Sequence, residues 1–358
     1  MKINMSDIID YFNLPAASQK ELISLSIEYL NKSPNILEKD IWVCWVLEKI
    51  FNMPNYHPMA FKGGTSLSKV FGVIDRFSED VDITLDFQHF ECAEGFDFEK
   101  YQLSSRARDK ININISEEVK KYINEKVFPY LTSCLSEIVS GGDCKLEISE
   151  SGEQIYLYYT SLFDIGSSSH SYIQNRVMIE FVGRNLILPN DTHEITPYIS
   201  TLIEKEGGLN IKLPKVKVLV LSPQRTFWEK VTLLHAECGK GIRASAERLS
   251  RHWFDLVALW QHDIGQQAVQ DRALLTDVVK HKNCFYYARS ANYSDCLEHK
   301  FFLIPNGDGL ERLSHDYTAM RESGMIPSNA ISFEDMMSVI TEIQTFLNTP
   351  TTNQMLAR

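Results

Sequence analysis

The chain has 358 residues, 44% apolar and 23% charged, with a formal net charge of −11. That is enough for two or three globular domains with a sizeable core. The acidic total does not suit a protein that coats nucleic acid over its whole surface, though it leaves room for a local basic groove, and no apolar run approaches the roughly 20 residues of a membrane helix.

Residues 1–55 read as helical. The opening MKINMSDIIDYF has no apolar signal core and places acids early, so no secretion signal is expected. SQKELISLSIEYLN offers Ser18 as a cap, with Glu21 three residues on. SPNILEKDIWVCWVLEKIF repeats apolar residues at helical spacing, and the prolines of NMPNYHP end it. A strand–turn–helix unit comes next: MAFK, then GG, then TSLSKVFGVI as the helix, with DRFS as a loop. EDVDITLDF alternates, placing Val81, Ile83, Leu85 and Phe87 on one face and Asp80, Asp82, Thr84 and Asp86 on the other.

Residues 88–175 form an excursion. The pattern predicts a helix over 116–139 kinked at Pro129, a hairpin over CKLEISESGEQIYLYYTSL with its turn at ESGE, and a flexible loop at SSSHS, 167–171. RVMIEFVG, HEITPYIS and KVKVLVLS are further strands. From Ser222 the chain turns helical. SPQRTFWEKVTLLHAE has a serine cap and proline at the first helical position, and SAERLSRHWFDLVALWQ and SFEDMMSVITEIQTFLN are further helices. The expected domains are a helical segment 1–55, a core 56–221 with an insertion at about 88–175, and a helical domain 222–358. This order suits an α+β or α/β catalytic core between helical segments.

Seven cysteines are scattered without a CxxC pair, which predicts reduced thiols in a cytoplasm rather than a disulfide frame or a cysteine zinc site. GKGIRASAERLSRHW, with Lys240, Arg243, Arg248 and Arg251, is a candidate basic groove; KLPKVKV, with Lys212, Lys215 and Lys217, reads as a solvated face.

The chemistry concentrates between Phe61 and Ile83. Gly63 and Gly64 can take backbone angles closed to other residues and let a ligand touch the main chain. The helix after them favours an anion such as a phosphate at its free N–H groups, with Thr65 and Ser66 adding hydroxyl donors. Asp80 and Asp82 share one strand face, where like charges repel unless a cation lies between them. Hard oxygen ligands in that arrangement suit Mg²⁺, with Mn²⁺ as the alternative, completed by water and substrate phosphates. Glu180, between Ile179 and Phe181, supplies a third carboxylate able to activate an attacking hydroxyl. A phosphate cradle beside a carboxylate pair is the pattern of nucleotidyl transfer. Ser78 caps the loop, binds phosphate or accepts a transferred group.

KGGTSLSK followed by RFSEDVDI resembles the nucleotidyltransferase toxins of the AbiEii/AbiGii family, related to the mycobacterial MenT toxins, within the DNA polymerase β-like superfamily. LEKDIWVCWVLEKIF resembles the region before the family's glycine turn. FWEKVTLLHA looks like its helical lysine motif, with Lys230 at the functional position, and RLSRHWFDL resembles its R-x-x-K-D-x-x-D-L motif, matching Arg248, Arg251, Asp255 and Leu256. Arg251 stands where lysine is usual, and His252 where aspartate is usual.

The resemblance implies an α+β, polymerase β-like core with a mixed sheet and flanking helical segments. It also implies a bacterial toxin that acts on tRNA 3′ ends with a nucleoside triphosphate, opposed by a separately encoded antitoxin. Lys230 would contact the triphosphate, Arg248 and Arg251 would help bind the nucleotide, and Asp255 would orient Lys230 or the nucleotide. The spacing of Arg248, Arg251 and Asp255 puts them on one polar helix face. Competing expectations are a transferase acting on a small molecule or a protein, and a nucleotide-binding module without turnover.

Overall fold

Alternating strands in the middle of the chain and helical spacing at both ends resolve into a mixed α+β fold. The computed structural model describes residues 8–96, 103–138, 144–163, 174–206, 210–243, 248–327 and 329–350. The chain divides into two units. The first comprises Met1–Val70, Phe77–Glu94 and Ile113–Val220; the second comprises Phe71–Arg76, Gly95–Asn112 and Leu221–Arg358. The N-terminal helices therefore share a unit with the sheet.

The first unit opens with β1 (Ile9–Asp10), α1 (Ala16–Leu30) and α2 (Pro34–Phe51), and continues with β2 (Met59–Lys62), α3 (Gly63–Lys69) and β3 (Val81–Asp86). Then come α4 (Ser105–Tyr122), whose first turns belong to the second unit, and α5 (Phe128–Ser136). The rest is β4 (Lys145–Ile148), β5 (Gln154–Tyr158), β6 (Arg176–Asn185), β7 (Asn190–Ile195), α6 (Ser200–Glu206), β8 (Ile211–Lys212) and β9 (Val216–Leu221). One sheet runs β4-β5-β6-β3-β2-β9-β7, and β1 pairs with β8 in a separate ribbon. β3 lies parallel to β6 and β2 parallel to β9, while β2–β3, β4–β5 and β5–β6 are antiparallel.

Alternation decides which sheet face is closed. Val177, Ile179 and Phe181 of β6 are fully buried, as are Val81 and Ile83 of β3. Gly183 continues the buried row of β6, and Ile115 and Val119 of α4 pack so closely there that a Cβ on Gly183 would come 2.5 Å from Val119 Cγ2. The opposite face of β6, with Met178, Glu180 and Val182, stays partly open.

Several elements depart from the sequence pattern. Ser18 lies inside α1, whose N-cap is Pro15. The helix after the glycines ends at Lys69 rather than continuing to Ile74, with Gly72 at φ +61° beyond it. β3 begins at Val81, so Asp80 precedes the strand; Thr84 and Asp86 are buried rather than solvated. α4 starts at Ser105, well before the expected 116, and is broken by a π-turn at Ile123–Val127, upstream of Pro129. A proline inside a helix removes one backbone donor, and the wider turn absorbs the mismatch. β7 lies earlier than HEITPYIS suggested. The expected loop at 167–171 lies outside the described residues.

The second unit is built on α7 (Pro223–Lys240), α8 (Arg251–Gln261), α9 (Asp263–Gln270), α10 (Arg272–Phe285), α11 (Asp308–Glu322) and α12 (Phe333–Asn348). Ser222 caps α7 by accepting the Arg225 N–H at 3.2 Å, and Ser332 caps α12 by accepting the Asp335 N–H at 3.0 Å. α7 packs on α8, α9 and α10, and α12 on α8. The indole N–H groups of the two central tryptophans find carbonyls: Trp228 donates to Ala268 at 3.0 Å and Trp253 to Leu303 at 2.9 Å. Among the described residues no helix is long and apolar enough to cross a membrane. All seven cysteines are free, and burial pushes the Cys44 thiol up to about 12.

The tight seat of Gly183 gives a direct test. Gly183→Val should overpack α4 against β6 and cost about 1–3 kcal/mol of stability, read as a lowered melting temperature in scanning calorimetry.

Candidate active site

The glycine turn and the carboxylates come together in the first unit. Gly63 sits at φ +82°, a left-handed angle that glycine alone takes without strain. Its missing side chain has a second use. A Cβ there would fall 1.9 Å from Asp82 Oδ2 and 2.8 Å from Cγ, so the Asp82 carboxylate occupies the space over the glycine. Thr65 donates to the carbonyl of Asp80 at 2.5 Å and lies 2.9 Å from the Ser78 hydroxyl; Ser66 donates to the Gly63 carbonyl at 2.9 Å. Both hydroxyls are thus engaged within the protein; that of Thr65 ties the turn to the approach of β3, and that of Ser66 closes the turn on itself. A phosphate at this turn would draw on main-chain N–H groups.

The parallel register pairs Asp82 with Glu180, and paired residues on neighbouring strands project to the same face. The row extends across the sheet, because Gln154 pairs with Glu180 and Lys62 with Asp82. Gln154 Nε2 donates to Glu180 Oε1 at the long distance of 3.5 Å, and Tyr156 holds Gln154 from its other side at 2.9 Å. Glu180 lies inside the sheet, between β5 and β3, rather than at an edge. Lys62 and Gln154 were not singled out from the sequence, although Lys62 directly precedes the glycines.

The donor chemistry fits a hard divalent cation. Among the described residues no group of three or more His, Cys, Asp or Glu side chains could hold a metal by itself. Mg²⁺ takes one or two carboxylates and completes its shell with water and substrate phosphates. The space over Gly63 filled by the Asp82 carboxylate is consistent with a ligand oxygen held in a fixed place.

A second cluster lies wholly in the other unit. Asp255 is fully buried on α8. Arg76 grips it with a two-pronged contact, Nε to Oδ1 at 2.6 Å and Nη2 to Oδ2 at 2.8 Å, and Lys230 of α7 donates to Oδ2 at 2.8 Å. Burial alone would raise the Asp255 carboxyl, but Arg76 and then Lys230 hold it well below the usual carboxylate range. Burial lowers the Lys230 ammonium, and Asp255 opposes that shift. Asp255 was expected on a polar face with Arg248 and Arg251 and is buried instead; of its expected partners Lys230 does hold it, together with Arg76. Lys230 is not a surface lysine but 7% exposed.

Arg248 does not belong to the helix face. It precedes α8 at φ +59°, and its N–H and that of Ser250 donate to the two oxygens of Asp316, at 2.6 and 2.7 Å. One carboxylate thereby satisfies donors at the helix start, where α8 begins at Arg251. Residues 245–247 of the expected helix lie outside the described residues. His252 has a buried Nδ1 without a hydrogen-bond partner, and burial, ahead of the neighbouring Lys230 and Arg251, keeps its imidazole neutral. The expected solvated face is present: Lys212, Lys215 and Lys217 are exposed. Arg76 went unmarked because its partner lies 179 positions away.

A mixed sheet carrying a glycine turn beside carboxylates is an arrangement seen in nucleotidyltransferases. Among solved structures the chain is similar to MenT4, a nucleotidyltransferase toxin from Mycobacterium tuberculosis H37Rv, with a TM-score of 0.50 and 17% identity over 93% of this chain and 91% of that one. This likeness shows the fold. Comparison with curated protein sequences gives no match. Residues 45–339 match the nucleotidyl transferase AbiEii toxin family of type IV toxin–antitoxin systems. The chain belongs to that family and is a nucleotidyltransferase.

Two outcomes test the geometry. Gly63→Ala combines left-handed strain with a collision against the Asp82 carboxylate, so nucleotidyl transfer should fall about a hundredfold. Gly72→Ala, at φ +61° with nothing within 4 Å of a Cβ, should cost only about 1 kcal/mol of stability. For Asp255, a depressed carboxyl contributes stability that is complete above the ordinary carboxylate range and is lost as pH falls through and below it. Urea unfolding between about pH 7 and about pH 3 should show a steeper acid loss in the wild type than in Asp255→Asn.

Proposed function

We propose that the protein transfers a nucleotide from a nucleoside triphosphate to an acceptor hydroxyl, with the 3′ end of tRNA as the acceptor and a bacterial cytoplasm as the setting. One observation carries the reading: Asp82 and Glu180 stand paired on parallel neighbouring strands, with the Asp82 carboxylate over Gly63. Asp80 and Asp82 would hold Mg²⁺, or Mn²⁺, together with water and substrate phosphate oxygens, and the ion when bound supplies Lewis-acid polarisation of the phosphate and offsets its charge. Gly63 and Gly64, with the main-chain N–H groups of Thr65 and Ser66, receive phosphate oxygens, and Ser78 holds the turn through Thr65.

The acceptor oxygen bonds to the α-phosphorus as the bond from that phosphorus to the β-phosphate oxygen breaks, and pyrophosphate departs. The hydroxyl proton passes to Glu180 as general base. On the strength of the family motifs alone, Lys230, Arg248 and Arg251 are proposed nucleotide-binding residues, and Asp255 orients the Lys230 ammonium. Membership of a type IV toxin–antitoxin family supports an antitoxin as the physiological counterpart.

Incubation with each of the four triphosphates, labelled at the α-phosphate, with Mg²⁺ and total tRNA tests this. Label should enter RNase-sensitive material, and Asp82→Ala should lower it about a thousandfold. Label only on a small molecule or on protein would remove tRNA as the acceptor. Full activity in Asp82→Ala would remove the catalytic reading.

A further inference from the structure

Helix α2 carries three consecutive charged side chains inside the protein: Glu38, Lys39 and Asp40 are 3%, 1% and 3% exposed. Neighbouring helix residues point about 100° apart, so three in a row cannot serve one partner. Glu38 accepts from the Ser161 hydroxyl at 2.6 Å and the Leu162 N–H at 2.8 Å, beyond the end of β5. Asp40 pairs with Lys69 at the end of α3 and accepts the Tyr198 N–H at 2.7 Å. Lys39 pairs with the Glu79 carboxylate and donates to the Gln174 carbonyl at 2.9 Å.

Each partner of Lys39 leads into a strand of the site. Glu79 directly precedes Asp80, and Gln174 lies just before β6, the strand of Glu180. One ammonium therefore ties the approaches of β3 and β6 at the end where their parallel register begins, Val81 with Ile179 and Asp82 with Glu180. A slip of one residue would turn Glu180 to the face covered by α4. A buried ion pair is weak support for stability, since apolar side chains of similar volume often serve as well. Its fixed partners suit it to setting a geometry.

We propose that Lys39 is a positioning residue for nucleotidyl transfer: by bridging Glu79 and Gln174 it holds Asp80, Asp82 and Glu180 at the spacing the reaction needs. This rests on reading those three as the reacting carboxylates. A displacement of about 1 Å at a reacting centre costs about a hundredfold in rate.

The test compares Lys39→Met, Lys39→Arg, Glu79→Gln and the double variant Lys39→Met/Glu79→Gln. Readouts are thermal melting, kcat and KM for the triphosphate, and amide hydrogen exchange over residues 79–83 and 176–181. The double variant leaves neither charge of the pair buried alone, so it should melt near the wild type even where Lys39→Met does not fold. It should still lose about a hundredfold in kcat with KM within about threefold, and exchange faster at both strand ends. Lys39→Arg should recover kcat to within about tenfold of the wild type. A double variant with wild-type kcat and wild-type exchange overturns the proposal. Asp82→Asn separates the two readings. If it turns over as fast as the wild type, the carboxylate assignment fails, and unchanged exchange in the double variant overturns the role of Lys39 independently.

Discussion

The first unit depends on two neighbouring strands running the same way. In an antiparallel pair a hairpin can set the register locally; β3 and β6 are parallel, and no turn joins them. Their alignment must come from hydrogen bonds, from the buried row of Val81, Ile83, Ile179 and Phe181, and from contacts at their ends. That same alignment places Asp82 beside Glu180. The apolar face is closed by α4, and the polar face of β6 stays partly open.

The second unit solves a different electrostatic problem. Asp255 has no solvent to stabilise it, and its charge is met by a guanidinium and an ammonium from separate segments. The planar fork of Arg76 uses both carboxylate oxygens, and Lys230 adds a point charge at one of them. The outcome is a lysine whose position is set by its partner rather than by its own flexible stem.

Many local signals were legible, though Ser18 misled as a cap, and distant ones were not. Ser222 and Ser332 announce helix starts because a cap acts within three residues. The turn at Gly63 and the alternation through Asp82 likewise depend on near neighbours, and they led to the metal-binding reading. The bridge from Lys39 to Glu79 and Gln174 spans 40 and 135 positions, and Arg76 to Asp255 spans 179, so no periodicity could show them. The consecutive charges of Glu38, Lys39 and Asp40, next to the apolar run Ile41–Leu47, were the available sign, since burying charge requires partners. The polar face expected for Asp255 failed for the same reason: helical spacing says which residues share a side, and tertiary partners decide whether that side meets water. Thr84 and Asp86 became buried because alternation distinguishes two faces without saying that either is exposed.

The parallel pairing also orders events in time. Thr84 and Val182, joined by a hydrogen bond across β3 and β6, are 98 positions apart, and Asp82 and Glu180 share that separation. A chain leaving the ribosome therefore exposes the glycine turn and both aspartates long before the strand that completes the row. Closing so long a loop costs entropy that short hairpins avoid. Until β6 has emerged and docked, a growing chain has the turn and the two aspartates without the third carboxylate. For a member of a toxin family, this means that an unfinished chain lacks the assembled carboxylate row within the cell that makes it.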